Sequence, residues 1–395
     1  MEAHIDREAA RDCATDPAAL EALVEVFGSL LENGTHPGAQ LTVRRHGRIL
    51  VQAAGGTSRP GEPGPAVTQR TLFLMFSATK PLTALAIHML AERGKLDLDA
   101  PVARYWPEFA RAGKQDIPVR WLLSHRAGLP AIRPTLPAAA LFDWTAMTDA
   151  LAETAPWWTP GARHGYHAIT YGHLVGEVIR RVDGRTVGAF LRDEVTGPLH
   201  ADFFIGVPEA ADGRAAEVLP PPPPGEPTIW DTLLADLESV SGRAFLNPPR
   251  APDLVNTRAW RAAEIPAANG HTSARGVARV YAALARGGEL DGVRLLEPAT
   301  IDRAIEEQSR GRDAVLTLPT RFATGFMLGM PDGIFECGPG RRTFGHPGRG
   351  GSIGFADPDA RLAFWYVTNQ YVTGTAKHPD LRVRSLVDAV YAALP

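Results

Sequence analysis

Segments with the pattern of β-strands lie near both ends of the chain, and helical patterns dominate the stretch between them. Residues 39–43 and 49–51 are strand-like and flank Arg45-His46-Gly47, which predicts a hairpin. Four further strand-like pieces lie close to the C-terminus, at residues 322–328, 342–345, 352–355 and 362–368. Strands at both ends with helices between them predict one sheet built from both termini, with a helical region inserted in the middle.

Apolar residues recur at helical spacing in several places. The clearest are residues 16–31, a segment from Ser77 to Gly94, residues 273–285 and residues 381–394. We therefore predict a mixed α/β core formed by residues 1–85 and 270–395, an inserted, mainly helical region over residues 86–269, and a substrate cleft between them. The five prolines at residues 220–224 predict a stiff, extended surface segment.

Bulk composition argues against several classes of function. The 395-residue chain has a net charge of −3, which gives no sign of a nucleic-acid-binding face. Its two cysteines, Cys13 and Cys337, are far apart and form neither a metal-site spacing nor a disulfide framework. The sequence shows no signal peptide and no apolar stretch of about 18 residues. We therefore expect a cytoplasmic protein that does not bind membranes.

The chemistry is suggested first by Ser77-Ala78-Thr79-Lys80, where an apolar run passes into a helical pattern. A spacing of three places the serine and the lysine on one face of a helix. A serine hydroxyl needs a neighbouring base to become a nucleophile, and a desolvated lysine amine can be that base. The alternative is that Ser77 is an N-cap and Lys80 a solvated residue of the first turn.

Two segments after this motif strengthen the first interpretation. Residues 91–102 read AERGKLDLDAPV, and residues 117–130 read IPVRWLLSHRAGLP. With Ser77-Ala78-Thr79-Lys80, they make the chain, from about residue 20 to 390, resemble the serine β-lactamase and penicillin-binding-protein superfamily. Within it, the sequence is most similar to the class C-like group that includes family VIII carboxylesterases. The resemblance implies a β-lactamase-like α/β fold with a mainly antiparallel sheet flanked by helices.

The resemblance also implies a catalytic tyrosine, and Tyr166 occupies its place. The phenol would share the serine proton with Lys80 and return it to the leaving group, and a nearby ammonium would lower its pKa from about 10. The alternative is a tyrosine packed at a helix start, and Tyr171 is the nearest such decoy. Many relatives carry asparagine where this chain has Ala168, and its absence favours simple esters over β-lactams and peptides.

The third family motif corresponds to His346-Pro347-Gly348. By this match, the backbone N–H groups of Arg349 and Ser77 would form the oxyanion hole, in which one donor is worth about 3 kcal/mol of transition-state stabilisation. His346 stands where penicillin-interacting relatives carry lysine. A mostly neutral imidazole binds a substrate carboxylate less well than an ammonium does, which again favours esters. By itself, His346 reads as a surface histidine at a strand end.

Two competing motifs point to other chemistry. Residues 350–354 read G-x-S-x-G around Ser352, the nucleophile elbow of α/β-hydrolases, which requires a helix after the serine and acidic and histidine partners further on. Strand-like residues follow Ser352, although Asp357, Asp359, Asp380 and His378 lie downstream. His164 and His167 form H-x-x-H without the acidic residue of known metalloproteases, so we expect no metal.

These observations predict a serine carboxylesterase that uses no cofactor and acts on small-molecule esters. The catalytic residues would be Ser77, Lys80 and Tyr166, with Arg349, His346 and Gly348 binding the substrate or its oxyanion. A β-lactamase, a D-alanyl-D-alanine peptidase or amidase, and an acyltransferase are the catalytic alternatives, because the same motifs serve all of them. A non-catalytic ligand sensor is the alternative from another class. The sequence does not fix the oligomeric state.

Overall fold

The computed structural model describes residues 1–34, 36–60, 64–220, 228–331, 335–371 and 381–395. The strands, in chain order, are β1 Glu2–Ile5, β2 Gly38–Arg45, β3 Arg48–Gly56, β4 Phe73–Leu74, β5 Phe203–Phe204, β6 His271–Thr272, β7 Glu289–Leu290, β8 Val293–Arg294, β9 Ser309–Arg312, β10 Pro319–Phe322, β11 Met327–Leu328, β12 Phe344–Pro347, β13 Ile353–Asp357 and β14 Leu362–Thr368.

The α-helices alternate with these strands and fill the middle of the chain. They are α1 Arg7–Asp12, α2 Pro17–Glu32, α3 Lys80–Glu92, α4 Val119–Leu123, α5 Trp144–Glu153, α6 Thr170–Asp183, α7 Val187–Leu191, α8 Glu209–Asp212, α9 Ile229–Leu233, α10 Val240–Leu246, α11 Arg258–Ala262, α12 Ala274–Ala285, α13 Pro298–Ala304 and α14 Leu381–Ala392.

One large sheet joins the two ends of the chain, as predicted. Its strand order is β1-β3-β2-β14-β13-β12-β11-β10-β9, and every neighbouring pair is antiparallel. The N-terminal hairpin meets the C-terminal strands where β2 pairs with β14, in a register that runs from Leu362 opposite Arg45 to Thr368 opposite Ala39. The predicted mixed α/β fold with a mainly antiparallel sheet is therefore confirmed.

The sheet is buried on both faces. Along β14, Ala363, Trp365 and Val367 belong to one hydrophobic core, while Leu362, Phe364 and Tyr366 belong to another. Because successive side chains of a strand point to opposite faces, these two cores lie on the two sides of the sheet. Helix α12 packs on one side, and the terminal helices α2 and α14 pack together on the other. This burial explains why residues 362–368 read as a nearly continuous apolar run.

Local sequence signals account for the ends of the predicted helices. Asp16 caps α2 by accepting a hydrogen bond from the Ala18 N–H, and Pro17 occupies the first turn, where its missing N–H costs little. Ser273 caps α12 by accepting from the Gly276 N–H. The N-terminal helix, α12 and the C-terminal helix therefore lie within one or two residues of their predicted bounds.

Two segments differ from the prediction. The strand expected over residues 322–328 is two short strands, β10 and β11, joined by a turn at Gly325. A Cβ on Gly325 would lie 2.0 Å from the Cβ of Ala84, so the backbone turns against helix α3 where only glycine fits. The strand expected at residues 342–345 lies two residues later, as β12.

Three predictions remain predictions. The division into a core of residues 1–85 and 270–395 and an insertion of residues 86–269 is one of them, although the large sheet draws its strands only from residues 2–56 and 309–368. Of the proline run, only Pro220 belongs to the described residues. In the described ranges, each helix is too short or too polar to cross a membrane. The cytoplasmic location is the third.

Candidate active site

Ser77 lies in a tight turn between strand β4 and helix α3. Residues Phe76–Thr79 form a 3-10 turn, and the α-helix itself begins at Lys80, one turn later than the sequence pattern indicates. Phe76 has a φ of +47°, which is a costly backbone conformation for a residue with a side chain. The Thr79 hydroxyl holds it by donating to the Phe76 carbonyl at 2.6 Å and accepting from the Gly270 N–H at 2.9 Å. The turn leaves Ser77 partly exposed at the start of the helix.

Lys80 is completely buried behind the serine, so the alternative of a solvated first-turn lysine is wrong. Its Nζ lies 3.3 Å from Ser77 Oγ, and it donates to the carbonyls of Ala168 at 2.9 Å and Ala267 at 3.0 Å. Burial lowers the pKa of this amine well below its usual value. A neutral amine has two N–H bonds and one lone pair. The two carbonyls use the N–H bonds, so the lone pair faces the Ser77 hydroxyl.

Tyr166 lies on the other side of the lysine, just ahead of helix α6. Lys80 Nζ is 4.6 Å from the centre of its ring, and 5.8 Å from that of the decoy Tyr171, which is fully buried within α6. The expected fall in the pKa of Tyr166 is wrong: burial raises its pKa well above the ordinary value, and the neighbouring Ser77 hydroxyl only partly offsets this. The reason is that burial disfavours the charged phenolate, and the nearby carboxylate of Asp313 disfavours it further. Tyr166 is therefore a neutral phenol in the resting protein.

Asp313, which the sequence did not single out, anchors the segment that carries Tyr166. Its buried Oδ1 accepts three backbone N–H groups, from Tyr166 at 3.0 Å and from Val315 and Leu316 at 2.8 Å each. Its other oxygen accepts from the Thr320 hydroxyl at 3.4 Å. Asp313 is 147 residues from Tyr166, and an isolated aspartate in a loop gives no periodic or motif signal by which it could have been found.

His346 lies at the end of strand β12, and its ring centre is 5.9 Å from that of Tyr166. It is buried rather than a surface residue, and burial lowers its pKa to about 3, so it is neutral as expected. Its Nδ1 is 2.6 Å from the Pro347 carbonyl, which can only accept, so Nδ1 carries the proton. The buried Nε2 then has a free lone pair and makes no hydrogen bond with the described residues.

Gly348 brings the end of β12 against the nucleophile turn. A Cβ at this position would lie 2.3 Å from the Met75 carbonyl oxygen, two residues before Ser77, so a larger residue does not fit. This approach places Arg349 beside the turn as well. The pairing of the Ser77 and Arg349 N–H groups in an oxyanion hole remains a prediction, and the contact between Gly348 and Met75 supports it.

The two competing motifs serve structural roles. Strand β13, and not a helix, follows Ser352, and a Cβ on Gly354 would lie 1.4 Å from the Trp365 ring. These glycines therefore make room for aromatic rings instead of forming a nucleophile elbow. Of the downstream acidic and histidine residues, Asp357 and Asp359 are described, whereas His378 and Asp380 lie outside the described residues.

The histidines of the H-x-x-H motif are engaged elsewhere. His167 donates from Nδ1 to the Gly165 carbonyl at 2.7 Å and accepts at Nε2 from the Leu129 N–H at 3.1 Å. His164 contacts the Thr320 hydroxyl at 2.9 Å through Nε2. No group of side chains suited to hold a metal ion occurs in the part of the chain that the structure describes.

Comparison with known proteins agrees with this geometry. A family model described as "Beta-lactamase" matches residues 23–389, nearly the whole chain. The chain belongs to the beta-lactamase family. The resemblance to the serine β-lactamase and penicillin-binding-protein superfamily is therefore confirmed.

Individual beta-lactamase family members are similar over almost their full lengths. The esterase/beta-lactamase LipL of Mycobacterium tuberculosis is 35% identical over 368 residues, which cover 91% of this chain and 83% of LipL. The crystal structure of a family VIII carboxylesterase is 35% identical with a TM-score of 0.87, and that of a penicillin-binding protein homolog from Caulobacter crescentus is 37% identical with a TM-score of 0.86. Each of these two structures is covered completely and covers this chain completely. The protein is a hydrolase of the esterase and β-lactamase fold.

Proposed function

We propose that this protein is a serine esterase that cleaves short-chain carboxylic esters through an acyl-enzyme on Ser77. The observation that carries the proposal is the arrangement around Lys80. Its two N–H bonds are committed to the Ala168 and Ala267 carbonyls, and its lone pair faces Ser77 Oγ at 3.3 Å. A buried base in contact with a partly exposed serine is the pairing that nucleophilic catalysis requires.

The reaction proceeds in two halves. Ser77 Oγ attacks the ester carbonyl carbon as its proton passes to Lys80, and the N–H groups of Ser77 and Arg349 stabilise the oxyanion that forms. The tetrahedral intermediate then collapses and the bond to the alcohol oxygen breaks. Tyr166 gives its proton to that oxygen and recovers one from Lys80, which returns the amine to its neutral form. Water attacks the acyl-enzyme by the same steps and releases the carboxylic acid.

Two features favour esters over β-lactams. Ala168 contributes its carbonyl to Lys80, and its methyl side chain has no amide with which to bind the acyl amide of a β-lactam or peptide. His346 is neutral, so it offers no charge to the carboxylate that β-lactams carry. The names of two similar proteins, LipL and the family VIII carboxylesterase, also refer to ester hydrolysis.

A β-lactamase is the second candidate. The LipL name includes beta-lactamase, and the similar structure from Caulobacter crescentus is a penicillin-binding protein homolog. An acyl-enzyme on Ser77 would serve β-lactam hydrolysis as well as ester hydrolysis, because both begin with attack on a carbonyl carbon.

The experiment is a comparison of substrates across three proteins. Wild type, Ser77→Ala and Ser352→Ala are assayed with p-nitrophenyl acetate, butyrate and octanoate, and with nitrocefin. We expect ester turnover by wild type and Ser352→Ala and none by Ser77→Ala. Nitrocefin turnover that exceeds ester turnover would favour the β-lactamase. Activity that survives in Ser77→Ala but is lost in Ser352→Ala would overturn the assignment of the nucleophile.

A further inference from the structure

Among the described residues, four aromatic rings pack around the ring of Tyr166 and limit the atoms that can meet its phenol. Their centres lie 5.0, 5.9, 6.3 and 6.4 Å from that of Tyr166, and they belong, in that order, to His125, His346, Phe322 and Phe245. The phenylalanine rings have no hydrogen-bond acceptor. His125 has already used its acceptor, because its Nδ1 accepts from the His167 N–H at 3.1 Å. His346 therefore provides the free acceptor beside Tyr166.

That acceptor is the Nε2 atom of His346, and its state is fixed by the backbone. The Nδ1–H donates to the Pro347 carbonyl at 2.6 Å, so the lone pair of the neutral ring is on Nε2. Nε2 is shut off from solvent and makes no hydrogen bond with the described residues. A buried acceptor without a donor is unfavourable, so this atom favours a small molecule that brings an O–H or N–H bond to it.

Tyr166 connects this acceptor to the reacting groups. Lys80 Nζ lies 4.6 Å from the Tyr166 ring centre and 3.3 Å from Ser77 Oγ, and the Ser77 hydroxyl is the polar group beside the phenol. In the reaction proposed above, the leaving alcohol takes its proton from Tyr166, so its oxygen stands next to the phenol. The water that later attacks the acyl-enzyme gives a proton back to the same phenol. It therefore takes the place of the alcohol oxygen, on the side of Tyr166 where His346 packs.

We propose that His346 selects water over alcohols as the acceptor of the acyl group, by accepting a hydrogen bond from the attacking water at Nε2. The proposal rests on the esterase function proposed above and makes the protein a hydrolase and not an acyltransferase. Water has two O–H bonds, so it can donate one to the Tyr166 oxygen and the other to Nε2. An alcohol has one O–H, which the proton transfer to Tyr166 requires. Its alkyl group would face Nε2 and leave that atom unpaired.

Every proton has a donor and an acceptor in this step. As the water oxygen bonds to the acyl carbon, its first proton passes to the Tyr166 oxygen, and the phenol proton passes to the Lys80 amine. The bond between the acyl carbon and Ser77 Oγ then breaks, and Lys80 returns a proton to Oγ. The second hydrogen stays on the former water oxygen and becomes the O–H of the carboxylic acid. His346 only holds this hydrogen, so the role requires an acceptor nitrogen and no change in its protonation.

The test measures how the acyl-enzyme divides between water and methanol. The enzyme turns over p-nitrophenyl butyrate in buffer with added methanol; p-nitrophenol reports the acyl-enzyme formed, and butyric acid and methyl butyrate report its two fates. We expect His346→Phe to lower the ratio of acid to methyl ester about tenfold, as the loss of one hydrogen bond implies. His346→Gln, whose side-chain carbonyl can accept, should recover part of the ratio. A change in the rate of acylation does not alter this ratio.

Tyr171→Phe is the matched control. It removes another buried hydroxyl that makes no hydrogen bond with the described residues, on a ring whose centre is 5.8 Å from Lys80 Nζ, and should keep the wild-type ratio. His346→Met, which is only a weak acceptor, should lower the ratio as His346→Phe does and replaces it if that variant does not fold.

Two results separate this proposal from the esterase function. Release of p-nitrophenol with an unchanged ratio in folded His346→Phe or His346→Met would overturn the selection of water and leave the esterase standing. Absence of p-nitrophenol release by wild type would reject the esterase and the selection of water with it. A ratio that falls in His346→Phe and partly returns in His346→Gln would support the proposal.

Discussion

Two of the described lysines, Lys80 and Lys114, are completely buried, and their surroundings differ by one hydrogen-bond partner. Lys114 Nζ donates to three carbonyls, those of Arg111 at 2.7 Å and of Ala152 and Thr154 at 2.8 Å each. Lys80 Nζ donates to two carbonyls and faces the Ser77 hydroxyl in the third direction. Three carbonyls can only accept, so they match an ammonium, whereas the Ser77 hydroxyl can also donate to the lone pair of a neutral amine. The comparison separates a lysine that fixes a loop from one that lies against Ser77, where the proposed reaction needs a base.

The pKa values of Lys114 and Lys80 differ as their hydrogen-bond partners do. Burial lowers the pKa of Lys114 only to about 8, partly because Glu153 favours its charged form. For Lys80, burial lowers the pKa well below its usual value, and no carboxylate among the described residues opposes the effect. A pKa of about 8 leaves Lys114 mostly charged at neutral pH, whereas burial shifts Lys80 strongly towards the neutral amine.

The largest expected effect is a loss of reaction rate when Lys80, but not Lys114, is replaced. Lys80→Met should lower kcat by about 1,000-fold, because Ser77 loses its base. Lys114→Met should leave kcat of the folded protein unchanged and lower the free energy of unfolding by about 3 kcal/mol, since three buried carbonyls lose their donor. Ester assays and chemical denaturation measure the two quantities. Equal losses of kcat in both variants would contradict the distinction.

The second-largest expected effect is a slower hydrolysis by Tyr166→Phe, and its size depends on the leaving group of the ester. Tyr166→Phe should slow hydrolysis of ethyl butyrate about 100-fold, because an alkoxide needs a proton to leave. It should slow p-nitrophenyl butyrate much less, because p-nitrophenolate leaves without one. Tyr171→Phe is the control, since Tyr171 belongs to helix α6 and is fully buried. Rates for both esters in the three proteins measure the effect, and equal slowing of both esters would argue against proton donation by Tyr166.

The pH profile should report Lys80 alone. Protonation removes the base, so kcat/KM falls about tenfold per pH unit below the pKa of Lys80 and levels off above it. This acid limb should lie well below the usual lysine range. Burial lowers the pKa of His167 and of His346 to about 3, so these residues stay neutral across the limb. Lys114→Met should leave the limb in place. A limb near the ordinary lysine pKa would contradict the assignment of a free base.

A smaller effect is expected at the anchor of Tyr166. Asp313→Ala leaves the N–H groups of Tyr166, Val315 and Leu316 without their acceptor and should reduce kcat several-fold by displacing the phenol. In a Tyr166→Phe background, the same substitution should have almost no further effect on kcat. Asp313→Asn, which keeps an acceptor oxygen, should recover part of the rate. Additive losses would show that Asp313 acts on the protein independently of Tyr166.

Much of the fold and the pairing of Ser77 with Lys80 could be predicted from the sequence, because both depend on short-range patterns. The apolar run at residues 362–368 and the spacing of Ser77 and Lys80 are visible in the residues themselves. The partners that orient the Lys80 amine towards Ser77 could not be predicted. They are the backbone carbonyls of Ala168 and Ala267, and every residue has such a carbonyl whatever its side chain.

The errors have a common physical cause. The sequence predicts a lowered pKa for Tyr166 on the basis of a charged Lys80 beside it. Tertiary burial instead disfavours the charged forms of both residues, so the pKa of Lys80 falls and that of Tyr166 rises. The 3-10 turn at Ser77 depends on the contacts of Thr79 with Gly270, 191 residues later. Asp313 likewise acts at long range. Local sequence therefore identifies the reacting groups, whereas distant backbone contacts set their protonation and orientation.

The most direct test of the central claim is the protonation state of Lys80 in solution. The chain has four lysines, Lys80, Lys95, Lys114 and Lys377, so their ¹⁵Nζ and ¹³Cε signals can be followed separately by NMR during a pH titration. We predict one signal from a neutral amine at pH 7, and that signal should be missing in Lys80→Met. If the signal lost in Lys80→Met titrates near the ordinary lysine value of about 10.4, Lys80 is an ammonium and cannot be the resting base for Ser77.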